Sequence, residues 1–222
     1  SHNMGTDEEF RELVQDIHNR GMHIVIDGVF NHCSWYFPQF SDVVEKGENS
    51  EYANWFYQLQ FPVIRPATEE EKPTYSCFAY ERKMPKLNSS DPEERAYFME
   101  VCRYWIREFK VDGWRLDVAN EVDRGFWRDF HRAANEENPE SVMIGEIWES
   151  SETWLNGDMF DSTMNYDFRK NCRDFFALRE ISTEEFHDRI VKMLLRYRTG
   201  TLRGQLNLLD SHDVNRFLSY CE

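Results

Sequence analysis

The chain has 222 residues, with 41 acidic against 26 basic side chains and a formal net charge of −15. That length can bury a core without disulfides or a metal, and that charge repels a phosphate backbone, so nucleic acid is excluded as a partner. No apolar run approaches the ~20 residues of a membrane-spanning helix, so no membrane partner is expected.

Cys33, Cys77, Cys102, Cys172 and Cys221 are irregularly spaced and form no C-x-x-C pair. They read as free, mostly buried thiols of a reducing compartment, and a cytoplasmic location is expected. The opening Ser1-His2-Asn3-Met4 reads as a truncation point or cloning remnant. Aromatics make up 15% of the chain. An acidic, aromatic-rich surface suits a neutral polyhydroxylated ligand, whose C–H faces pack on rings while its hydroxyls pair with carboxylates.

Thr6 and Glu9 predict a capping box, with Phe10, Leu13, Val14 and Ile17 at helical spacing behind it and Gly21 as the stop. Met22–Val29 is a nearly continuous apolar run, predicting a strand covered on both faces. Periodicity is lost from Cys33 to Ser90, a stretch holding five of the seven prolines. It is too long for an ordinary connection, so residues 33–90 are read as an inserted small subdomain, with a short helix within 42–56. Asp91 and Pro92 predict the start of a helix whose buried stripe is Phe98, Val101, Cys102, Trp105, Ile106 and Phe109. Strands are then expected at 113–118, 142–148, 160–164 and 205–210, and helices at 126–134, 168–178 and 184–197.

Alternating strands and helices predict an α/β fold with a parallel sheet. Asp27 and Asn31, Asp117, Glu146, and His212 with Asp213 each fall at the C-terminal end of a strand, where a TIM-type (β/α) barrel gathers its active site. No G-x-G-x-x-G supports a doubly wound sheet. About five strands are legible where a closed barrel has eight, so residues 1–222 are expected to form an incomplete barrel cut from a larger enzyme. Open edges at 22–29 and 205–210 would invite self-association.

Cleavage of a glycosidic bond commonly uses two carboxyl groups, one ionised and one protonated. Arg115 and Asp117 are two apart and share a strand face, so the guanidinium would hold the carboxylate ionised, as a nucleophile requires. A buried Arg–Asp pair without chemistry is the alternative. Glu146, after Gly145 and among apolar residues, could be desolvated enough to keep a proton for donation; a solvent-facing strand-end glutamate is the alternative. His212 and Asp213 could hold sugar hydroxyls. Asn31 could ligate calcium through its side-chain oxygen, and His32 could contact a sugar. A metal-dependent hydrolase would need a His-rich ligand set that the seven histidines do not form.

Taken in order, Asp27–His32 (DGVFNH), Gly113–Glu121 (GWRLDVANE), Gly145–Trp148 (GEIW) and Asp210–Asp213 (DSHD) resemble the four signature regions of the α-amylase superfamily. Met84–Asn88 (MPKLN) resembles a fifth region and, with Asn120-Glu121, points to the neopullulanase, cyclomaltodextrinase and maltogenic amylase subgroup. The resemblance implies a retaining hydrolase of α-glucosidic bonds in starch-like glucans, cyclodextrins or pullulan, with some transglycosylation. It implies Asp117 as nucleophile, Glu146 as general acid/base and Asp213 as transition-state stabiliser, helped by Arg115, His32 and His212. Asn120 and Glu121 would line the leaving-group side, with Trp148 as a packing surface. No organic cofactor is implied. Further barrel strands, an N-terminal dimerisation domain and a C-terminal β-domain are implied outside this segment, so little activity is expected of the chain alone. A catalytically silent carbohydrate-binding barrel is the competing reading, which has no use for all three acids.

Overall fold

The computed structural model describes residues 4–68 and 70–221; Ser1, His2 and Asn3 of the opening motif lie outside them. The first helix, α1 (Asp7–Asn19), starts as its sequence demands. Thr6 Oγ1 accepts the Glu9 N–H at 3.2 Å, while the Glu9 carboxylate accepts the Thr6 N–H at 2.7 Å. There follow β1 (Val25–Gly28), α2 (Pro38–Lys46), α3 (Pro92–Phe109), β2 (Gly113–Leu116), α4 (Arg124–Glu137) and β3 (Val142–Gly145). The chain continues through β4 (Ser162–Asn165), α5 (Tyr166–Cys172), α6 (Thr183–Arg196), α7 (Thr199–Arg203) and β5 (Leu206–Asn207).

The five strands form one sheet in the order β1-β2-β3-β4-β5, and every neighbouring pair is parallel. A doubly wound sheet reverses its strand order at a switch point. Here each strand lies beside its predecessor, which is how a (β/α) barrel wall is laid down.

Side-chain alternation divides the sheet's work. Trp114, Leu116 and Met143 point to the helical side and are at most 2% exposed. There they meet the aromatic cluster of Phe30, Phe98, Phe126, Trp127 and Phe130, in which Phe30 lies 5.2 Å from Phe98 and 4.9 Å from Phe130. The alternate residues, Asp27 beside Arg115 and Arg115 beside Ile144, share the opposite face.

The run at 22–29 was expected to be covered on both faces, and that is corrected: Val25 is 41% and Val29 40% exposed. Among the described residues β1 pairs only with β2, and five strands do not bring an opposing wall across the inner face. The strands are also shorter than their apolar runs, β5 retaining two residues of the expected six.

Gly113 has a specific steric reason. A Cβ there would stand 2.3 Å from the Val142 carbonyl oxygen and 3.1 Å from its carbonyl carbon. Backbone cannot yield as a side-chain tip does, so Gly113→Ala should force β2 from β3 and destabilise the chain by about 2–3 kcal/mol. Urea unfolding measures this; a wild-type midpoint would remove the steric argument.

Residues 33–90 are tied to the rim by an antiparallel bridge between His32 and Lys86, and two more bridges, Phe56 with Leu87 and Cys77 with Pro85, hold the segment together internally. Phe40 anchors the segment's interior, its ring 5.0 Å from both Phe56 and Tyr75, and this packing continues into the main core.

Candidate active site

The C-terminal ends of adjacent strands bring the predicted acids together. Asp117 directly follows β2, with its N–H donating to the Gly28 carbonyl at 3.0 Å. Glu146 directly follows β3 and is 3% exposed, its N–H donating to the Leu116 carbonyl at 2.8 Å. Arg115 links them. Its Nη1 donates to Asp117 Oδ1 at 2.6 Å and Asp27 Oδ1 at 2.8 Å, while Nη2 lies 2.8 Å from Glu146 Oε1. The last contact lacks hydrogen-bond alignment, so it is an ion pair alone. Burial opposes the guanidinium charge, but the bonds to Asp117 and Asp27 and the charge of Glu146 outweigh it and hold Arg115 protonated.

The Glu146 carboxyl titrates above its ordinary range. Burial is the main cause, and the charges of Asp117 and Asp213 add to it; the Val118 N–H and Arg115 pull the other way. That N–H reaches Glu146 Oε2 at 2.9 Å because Val118 adopts a left-handed conformation, φ 45° and ψ 43°. A β-branched residue is strained there. The strain turns the chain after β2 so that a backbone donor faces the neighbouring strand's acid.

Asp213 is partly exposed and lies close enough for its charge to act on both Glu146 and Tyr166. His212 is exposed, with Nε2 3.2 Å from Asp213 Oδ2. His32 is buried and stacks flat on Phe78, centroids 4.6 Å apart. Burial lowers its pKa and Lys86 adds to that, against the charges of Asp117 and Glu121. Trp148 is 47% exposed and stacks on buried Tyr166 at 4.2 Å and 12°. Asn120 and Glu121 sit together on the short turn after Asp117.

Asn31, predicted as a calcium ligand, does not fit that role. Its Oδ1 already accepts from Lys86 Nζ at 2.8 Å. Among the described residues no three His, Cys, Asp or Glu side chains gather as a metal site. An ammonium stands where the cation was expected.

Two contributors, Tyr166 and Phe78, lay outside the sequence reading, and a third, Lys86, entered it only as part of the MPKLN motif. Tyr166 supports Trp148 from beneath and its hydroxyl is 3.4 Å from Ser211 Oγ. Its position just past β4 carried the same strand-end signal as the acids. Phe78 and the Lys86 side chain come from the insert, whose lack of periodicity hid their approach to the rim. All five cysteines are free, and no helix among the described residues is long and apolar enough to cross a membrane.

Comparison with known proteins agrees with this geometry. The family model for the alpha amylase catalytic domain matches residues 1–222. The chain is 44% identical over 216 residues to a cyclomaltodextrinase of Thermoanaerobacter pseudethanolicus, a match covering 97% of this chain and 37% of that protein. It is 45% identical over 213 residues to neopullulanase 2 of Thermoactinomyces vulgaris, covering 96% of this chain and 36% of that one. The cyclic α-maltosyl-(1→6)-maltose hydrolase of Arthrobacter globiformis, solved with cyclic α-maltosyl-(1→6)-maltose, superposes with a TM-score of 0.92 at 37% identity, over 98% of this chain and 48% of that one. The chain thus spans little more than a third of the curated relatives. Its strand order, its ordered strand-end motifs and its match to the catalytic-domain family together place this chain in the alpha-amylase family of glycoside hydrolases.

Proposed function

We propose that this chain is the central part of a retaining hydrolase of α-glucosidic bonds, acting on cyclodextrins, pullulan or starch-derived oligosaccharides. The observation that carries the reading is that one guanidinium, Arg115, contacts both Asp117 and Glu146. The Asp117 carboxylate attacks the anomeric carbon as Glu146 protonates the departing glycosidic oxygen. Glu146 then takes a proton from water, whose oxygen displaces Asp117 from the sugar; a sugar hydroxyl in place of water gives transglycosylation. Asp213, His212 and His32 hold the hydroxyls of the reacting sugar, and Arg115 keeps Asp117 in place. Trp148 packs against the glucan, while Asn120 and Glu121 face the leaving group.

In this reading residues 33–90 are a subdomain that closes one side of the cleft. The chain alone is weakly active or inactive, because a barrel's sugar site draws on strands all around the ring, and its open edges favour self-association. The free thiols support a reducing, cytoplasmic setting. The test is proton NMR of cyclodextrin, pullulan and starch digests by the full-length enzyme. The first products should be α-anomers; β-anomers appearing first would overturn the double displacement.

A further inference from the structure

Lys86 is built into the rim, partly exposed, yet no step of the proposed reaction uses it. Its backbone pairs antiparallel with His32, its N–H donates to the Ser76 carbonyl at 2.9 Å, and its carbonyl accepts the Tyr57 N–H at 3.1 Å. The side chain turns back toward the strand ends. There Nζ donates to Asn31 Oδ1 and to Glu121 Oε2, each at 2.8 Å. Asn31 Nδ2 adds a longer contact to the same Glu121 oxygen at 3.4 Å. One ammonium therefore joins three stretches of chain: the insert, the residues after β1 and the turn after β2.

The surroundings make this more than a surface ion pair. Asn31 is 2% exposed, so its amide oxygen has no water to replace a lost donor. The Lys86 side chain is 22% exposed and Glu121 44%, leaving part of the carboxylate open to solvent. A carboxylate and an amide oxygen converging on one point make half of a divalent-cation site, and the positive charge at that point is covalently part of the chain.

We propose that Lys86 is a positioning residue whose ammonium acts as a permanent internal cation, fixing the Glu121 carboxylate at the cleft and fastening the insert to the strand ends without calcium. The proposal does not depend on the catalytic reading, because it is tested by stability and not by turnover.

Thermal unfolding of the full-length enzyme decides it. The wild-type midpoint should be the same in millimolar calcium chloride as in EDTA. Lys86→Met keeps the stem and removes the charge, and should lower the midpoint by about 5 °C. Glu121→Ala should lower it less. The double variant should melt no lower than Lys86→Met alone, since each change breaks the same contact. Lys86→Arg should recover part of the loss, which a space-filling role would not produce because methionine already fills that volume. A calcium-raised wild-type midpoint, a wild-type midpoint for Lys86→Met, or additive losses in the double variant would each overturn the proposal. If Lys86→Met does not fold, the calcium comparison and the Lys86→Arg and Glu121→Ala midpoints still decide it.

Discussion

Glu146→Gln in the full-length enzyme should slow hydrolysis of unactivated α-glucans by about 10²–10⁴-fold, the range spanned by loss of a positioned general acid. The same variant should keep far more activity on a glucosyl fluoride, whose leaving group departs without a proton. Asp117→Asn should abolish both reactions, because neither proceeds without a carboxylate at the anomeric carbon. The contrast between substrates is the measurement, and an equal loss on both would take Glu146 out of the acid role. Folding is not the confounder. Glutamine matches the shape of glutamate and its amide oxygen can still accept the Val118 N–H that Glu146 Oε2 now takes at 2.9 Å. What it loses is the ion pair to Arg115, a group already held by Asp117 and Asp27.

Glu94 should make the stability of the chain fall as pH rises from about 4.5 to 8, and Glu94→Gln should remove that part of the slope. Glu94 lies in the first turn of α3, is 0% exposed, and neither of its carboxyl oxygens has a hydrogen-bond partner. Burial, reinforced by the charge of Asp91 and opposed by Arg95, raises its pKa from 4.5 to about 8. Between those values the native chain binds a proton that the unfolded chain does not, so raising the pH favours unfolding. The effect is fully present above the native value and absent below the unfolded one. Each pH unit within the window removes about 1.4 kcal/mol. Wild type and variant should have similar midpoints near pH 4.5 and diverge toward pH 8, with Glu94→Gln the more stable. Urea unfolding across that range provides the comparison, and parallel curves would show that Glu94 is ionised or solvated in the native state.

The sequence was most legible where local chemistry settles the outcome. Thr6 with Glu9, and Asp91 with Pro92, mark helix starts through contacts within a few residues, and both helices begin there. The four motifs located the acids because parallel strands laid in chain order bring their C-terminal ends side by side. Strand length was less legible. The run from Met22 to Val29 is nearly continuously apolar, but the ladder extends only over Val25–Gly28, since pairing depends on the neighbour and not on the run. The insert was hidden for another reason: its interior is assembled from single aromatics far apart in sequence, such as Phe40 and Tyr75, which leave no repeating pattern. The same distance concealed the contacts of Lys86, which the sequence showed only as part of MPKLN. Asn31 looked like a metal ligand because an amide oxygen beside acids invites a cation, and only the folded chain shows which cation arrives.

The strand order also bears on how the chain is made. Each strand from β2 onward pairs with the one synthesised just before it, so each emerges to a partner already outside the ribosome. The longest pause falls between β1 and β2, while residues 33–90 emerge. During that interval the edge of β1 that β2 will cover stays unpaired, which makes the nascent chain most vulnerable to wrong partners there before β2 arrives.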